Sequence, residues 1–122
     1  MQYMLLLYRE DAWRDSLSDD EHAALNREYM ELHDELAENG VLVAAAPLRP
    51  TDTATTVRVR EEELVVTDGP FTETKEQLGG FFLVEVDSVE EARACAARIP
   101  AARHGSVEVR PVVPVPAEVT AG

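Results

Sequence analysis

Apolar residues open the chain on both sets of alternating positions. Between residues 2 and 9, Tyr3, Leu5 and Leu7 fall on one face and Met4, Leu6 and Tyr8 on the other. A strand of that kind is covered on both sides. A polar connection over residues 10–17, containing Trp13, leads to Ser18-Asp19-Asp20-Glu21. That quartet is a capping box: the Ser18 hydroxyl and the Glu21 carboxylate are each placed to accept an amide left unpaired by the first helical turn. Asp19 and Asp20 suit the positive end of the helix dipole. The spacing of Leu25, Tyr29, Leu32 and Leu36 predicts a helix to about Asn39, where Asn39-Gly40 supplies a left-handed stop.

Val41 to Leu48 reads as a second strand, bounded by Pro47 and Pro50. Thr55 to Arg60 alternates Thr56, Arg58 and Arg60 against Thr55, Val57 and Val59, the pattern of a strand with one wet face. Glu61-Glu62-Glu63 turns it, and Leu64 to Thr67 returns as the other arm of a hairpin. Gly79 to Asp87 is again apolar on both faces, with Phe82, Val84 and Val86 opposite Phe81 and Leu83. Ser88-Val89-Glu90-Glu91 is a second capping box, opening a helix to about Arg98 that ends before Pro100. Ser106 to Val112 is the last strand. The folded domain is therefore placed at residues 1–113, with residues 114–122 a Pro-rich tail, extended or loose.

This order, β-α-β-(hairpin)-β-α-β, predicts an α+β fold. With the 55–67 hairpin set aside as an insertion, it is the ferredoxin-like split β-α-β plan. Two helices cover only one face of such a sheet. The second apolar face needs a cover of its own, and another copy of the same sheet is the simplest one. The pattern thus predicts a homodimer.

Composition narrows the partners. The chain has 122 residues, enough for one domain, and 45% hydrophobic residues, enough for a core without disulfides. Cys95 is the single cysteine and reads as a small core filler. Eleven basic against 24 acidic side chains give a net charge of −13, which disfavours DNA or RNA, since counterion release needs clustered cations. No targeting leader is recognisable at the apolar but short N-terminus, and no run approaches the roughly 18 apolar residues of a membrane span. A cytoplasmic protein is expected.

The segment Asp68-Gly69-Pro70-Phe71-Thr72-Glu73-Thr74-Lys75-Glu76-Gln77-Leu78-Gly79-Gly80-Phe81 resembles the signature of the YCII-related family, in its Asp-Gly-Pro-Phe branch. Tyr3-Met4-Leu5-Leu6 and the stretch from Ala101 to Pro111 also resemble that family, so the likeness spans roughly residues 1–113. It implies a bacterial protein and a dimeric α+β barrel of ferredoxin-like protomers. It also implies a regulatory connection, because genes of this branch often neighbour those of extracytoplasmic-function sigma factors. Some relatives are thought to use a His–Asp pair in a cleft, and one acts as a dehalogenating enzyme. The position of that histidine corresponds here to Tyr29, with His33 one turn later and His22 about two turns earlier. Asp68 is the candidate aspartate.

The candidate chemistry lies in three places. Tyr29, His33 and Asp68 form a possible acid–base set, and His22, Asn26 and His33 share a helix flank able to line a cleft. The loop residues Asp68, Gly69, Pro70, Phe71, Thr72 and Lys75 form either a structural rim, a ligand-pocket wall or, through Asp68, Glu73 or Lys75, a catalytic element. In that loop Phe71 is expected to be a buried anchor worth roughly 3–5 kcal/mol. Asp68 is expected to accept from loop amides, and Thr72 and Thr74 to cap a short helical turn through Gln77. Arg103 and His104 are placed to reach a ligand at the barrel mouth. His22 and His33 lie roughly 16 Å apart along a helix at 1.5 Å per residue, so they cannot share one metal ion. No phosphate loop, nucleophile elbow, dinucleotide fingerprint or zinc spacing is present, and no metal or cofactor is expected. Two functions follow: a ligand-binding or regulatory module, or a cofactor-independent enzyme acting by acid–base chemistry on a small organic substrate.

Overall fold

A computed structural model describes residues 1–115. Strand β1 (Gln2–Arg9) resolves its two-sided pattern into two environments. Tyr3, Leu5 and Leu7 are buried, with Leu5 wholly inaccessible, whereas Met4, Leu6 and Tyr8 are half-buried. The polar connection contains a five-residue helix, α1 (Asp11–Asp15), that sequence periodicity does not reveal. A helix this short does not persist alone. Trp13, at its centre, stacks on His104 with ring centroids 3.7 Å apart.

Helix α2 (Asp19–Glu38) begins at the predicted capping box. The Glu21 amide donates to the Ser18 hydroxyl at 3.1 Å, and the Ser18 amide donates to Glu21 Oε1 at 2.9 Å. The helix stops where Gly40 takes a left-handed φ of 72°. Strands β2 (Leu42–Pro47), β5 (Gln77–Glu85), β1 and β6 (Ser106–Pro111) form a four-stranded antiparallel sheet in the order β2-β5-β1-β6. Helix α2 crosses from β1 to β2, and α3 (Val89–Arg98) with α4 (Ala101–His104) crosses from β5 to β6. The chain is a mixed α+β protein with its helices on one face. Leu32 and Leu36 of α2, and Ala92 and Ala96 of α3, pack in one core with Tyr3, Leu5, Phe82 and Val84.

Among the described residues the other sheet face carries no helix. Met4, Leu6, Phe81 and Leu83 lie there, half-buried. Strands β3 (Thr55–Arg60) and β4 (Glu63–Asp68) form a separate two-stranded sheet. Their turn holds Glu61 and Glu62 at φ of 50° and 68°, the positive values that a two-residue hairpin loop demands. The expectation of one wet face is corrected here. Val57, Val59, Leu64 and Val66 are all exposed, because the arms pair with each other and not with the main sheet.

Three further differences follow from local geometry. Residues 101–104 make a turn of helix. The second capping box is half formed: Ser88 accepts the Glu91 amide at 3.2 Å, but Glu91 Oε2 takes the Asp87 amide at 3.0 Å in place of the Ser88 amide. Residues 72–76 are not helical. Instead Thr74 donates to the Glu76 carbonyl at 2.6 Å, and the Gln77 side-chain amide donates to the Thr74 carbonyl at 2.6 Å. Of the proposed tail, residues 116–122 lie outside the described residues. Cys95 is half-buried against the core, and burial beside Glu91 pushes its thiol above its ordinary pKa. Among the described residues no helix is long and apolar enough to cross a membrane.

Candidate functional site

Helix α2 grips the sheet unevenly. Leu32 and Leu36 are buried against it, while Leu25 and Tyr29, nearer the N-terminus, are half-buried. Between that end of α2 and the sheet lies a cleft of about 620 Å³. From α2 it receives His22, Leu25, Asn26, Tyr29, Met30 and His33. The sheet supplies Leu7 and Arg9 of β1, Ala45 to Pro47 of β2, and Gly79 and Phe82 of β5; Phe81, whose alternation puts its ring on the helix-free face, also borders it. Leu48 and, from α1, Arg14 complete the rim. The flank of His22, Asn26 and His33 therefore faces a cleft, as its helical spacing suggests.

Arg9 reaches this position through strand alternation. It falls on the same side of β1 as Leu5 and Leu7, the helix-covered side, at the end of the strand. Gly79, the extra residue where the β1–β5 register shifts, makes room for it. A Cβ at Gly79 would stand 3.1 Å from the guanidinium carbon of Arg9. Burial pushes the Arg9 guanidinium below its ordinary pKa, and the charge of Arg14 adds to the effect. Arg9 Nε is buried without a hydrogen-bond partner. The Tyr29 hydroxyl is likewise buried and unpartnered. It sits near the Ala101 amide and the Arg9 charge without completing a hydrogen bond, and its burial raises the phenol pKa, so it stays protonated. Such atoms are expensive to leave unpaired.

Among the described residues no carboxylate lines the cleft. The neighbouring acids are engaged elsewhere. Asp11 accepts the Thr51 hydroxyl at 2.6 Å, Glu10 pairs with Lys75 at 3.4 Å, and Asp34 lies 3.1 Å from His33 Nδ1 on the exposed side of that ring. Glu28 pairs with Arg103 at 2.8 Å and Glu35 with Arg98. These last pairs border a more open groove of about 380 Å³ that carries Glu28, Glu31 and Glu35. The acidity of the chain is thus displayed outside α2, and the cleft beneath α2 is its basic interior.

The predicted residues separate accordingly. Tyr29 and His33 share the cleft, whereas Asp68 does not line it. Asp68 is exposed at the end of β4, where its backbone still pairs with Thr55. Among the described residues its carboxylate takes no hydrogen bond from the loop amides, contrary to expectation. The backbone of Gly69 anchors the loop instead, donating to the Ala54 carbonyl at 2.7 Å and accepting from the Thr56 hydroxyl at 2.7 Å. Pro70 is half-buried, and Thr72 and Lys75 are exposed. Phe71 is 74% exposed, which overturns its expected role as a buried anchor. Residues 71–75 are all exposed, so this part of the loop crosses the surface.

Arg103 is committed to Glu28, and His104 to Trp13, so neither reaches the cleft as expected. Both His104 ring nitrogens are buried and unpartnered, and burial lowers its pKa. Sequence reasoning missed Arg9 and Arg14. The signal for Arg9 was present: a charged residue at an inward position of an apolar strand.

The YCII-related domain model matches residues 1–116. The chain is also 38% identical over 114 residues to an uncharacterized protein of Rhizobium meliloti (strain 1021), an alignment covering 92% of each chain.

Proposed function

We propose that this chain, which belongs to the YCII-related family, is a ligand-binding or regulatory module that takes a small organic molecule into the cleft beneath α2 and works as a homodimer. The carrying observation is the cleft itself: about 620 Å³, largely apolar, with Arg9, Arg14, Asn26, His22 and His33 set among its walls. That combination of apolar walls and few convergent polar groups is what small-molecule sites are made of. The test is a fragment screen followed through amide 1H–15N spectra. Shifts should cluster at Asn26, Tyr29, Gly79 and Phe82. A chemically broad library that leaves those signals unmoved would remove this function.

The ferredoxin-like plan is supported by the sheet order β2-β5-β1-β6 with both crossover helices on one face and the β3–β4 hairpin as an insertion. The dimeric barrel is supported by the helix-free face, where Met4, Leu6, Phe81 and Leu83 remain half-exposed. Light scattering at micromolar concentration should give about twice the chain mass of 13.5 kDa; a stable monomer would refute the dimer. In this picture the exposed Phe71 and its Asp-Gly-Pro-Phe loop form a recognition surface, and a partnership with an extracytoplasmic-function sigma factor rests on family resemblance. Pull-down with and without Phe71→Ala tests that partnership. The second function, a cofactor-independent acid–base enzyme, keeps Tyr29 and His33 in one cleft but not Asp68, so binding is the better supported of the two.

A further inference from the structure

We infer that the ligand of this cleft is a small organic carboxylate with an apolar body, its anionic end held by Arg9 and Arg14 and its body against Leu25, Met30 and Phe82. This rests on the cleft being a ligand site, and adds the chemical class. The first reason is charge placement. In a chain of net charge −13 with 24 acidic residues, this cleft is lined by two arginines and, among the described residues, by no carboxylate. Among the described residues neither Arg9 nor Arg14 has an ion-pair partner within 4.0 Å; the other unpaired arginines are exposed to water, whereas these two are half-buried.

The second reason is cost. Arg9 and Arg14 repel one another, and Arg9 is partly withdrawn from water with Nε unpaired. Asp11, the acid near Arg9, spends an oxygen on the Thr51 hydroxyl. A carboxylate between the two guanidinium groups removes the repulsion and accepts from their terminal N–H groups in the planar geometry that guanidinium favours.

The third reason is selectivity. The walls that remain are aliphatic and aromatic, which suits one charged end and one apolar body. The acidic surface outside α2 repels polyanions, so a nucleic acid or a many-phosphate ligand is disfavoured.

The probes are 2-naphthoate and its uncharged counterpart 2-naphthamide, titrated into the full-length protein and followed by 1H–15N spectra and calorimetry. Naphthoate should bind about tenfold or more tightly than the amide, a difference of about 1.4 kcal/mol, and added salt should weaken only the acid. Arg9→Met should abolish the preference, and Arg14→Met should reduce it. Melting curves of both variants establish that they fold; should Arg9→Met fail to, Arg14→Met, on the short helix α1, carries the comparison. Equal affinity for acid and amide, or a preference that survives both substitutions, would overturn the carboxylate inference while leaving a ligand cleft intact. If neither probe moves cleft signals at millimolar concentration while other fragments do, the inference falls alone. If nothing in the library moves them, the ligand-binding function falls with it.

Discussion

Gly79 and Gly80 are adjacent in β5 yet meet different obstacles, and substituting each by alanine separates fold from site. A Cβ on Gly80 would stand 2.8 Å from the Ala46 carbonyl oxygen and 3.2 Å from the Pro47 Cα. Both are backbone atoms of the neighbouring strand, so β2 would have to move away from β5. Overpacking of that kind costs roughly 1–3 kcal/mol. At roughly 4 °C per kcal/mol for a chain of this size, Gly80→Ala should lower Tm by roughly 4–12 °C. The three atoms nearest a Cβ on Gly79 all belong to Arg9, at 3.1 Å for Cζ, 3.2 Å for Nε and 3.4 Å for Nη2. That side chain rotates away cheaply, so Gly79→Ala should change stability by no more than about 0.5 kcal/mol. Arg9 would nevertheless leave its place over the bulge, and the naphthoate preference should fall as it does in Arg9→Met. Thermal melts and urea titrations give the stabilities, and calorimetry gives the affinities. A Gly79→Ala protein destabilised by 2 kcal/mol or more, or one that is stable and binds naphthoate as the parent does, would refute this account of how Gly79 and Arg9 share space.

Two other outcomes are expected. Phe71→Ala should alter stability by less than about 0.5 kcal/mol, because the ring is 74% exposed; a loss of several kcal/mol in denaturant titrations would mean that the ring is buried in the protein in solution. Stability should also depend on pH through His104, whose pKa is held below its ordinary 6.5 by burial first and by the charges of Arg103 and Arg9 second. The unfolded chain takes a proton at this histidine before the folded chain does. The contribution is therefore complete above about pH 6.5 and is lost as pH falls toward the lower folded value. Tm measured from pH 8 to pH 5 should drop less steeply for His104→Gln than for the parent, and equal slopes would show that His104 is not the group responsible.

What the sequence determined was local. Ser18 and Glu21 cap α2 because the two hydrogen bonds close within one turn, and Gly40 ends it because only a residue without Cβ takes φ of 72° at no cost. The arms of the hairpin, the limits of α3 at Arg98 and the two-sided character of β1 and β5 follow from alternation and propensity among near neighbours. Helical spacing alone puts His22, Asn26 and His33 on one flank, but that this flank faces a cleft was decided by packing. Tertiary structure decided the rest. Whether Phe71 is buried depends on what lies beneath the loop, and no local rule describes that. The partner of Glu91, the stacking of Trp13 on His104 and the separation of Asp68 from Tyr29 join groups whose distance is set by packing. The basic character of the cleft is the clearest case. Net charge reports a sum over the whole chain, while the field at a site depends on which charges face it. Only the folded chain turns Arg9 and Arg14 inward and leaves their possible carboxylate partners engaged elsewhere.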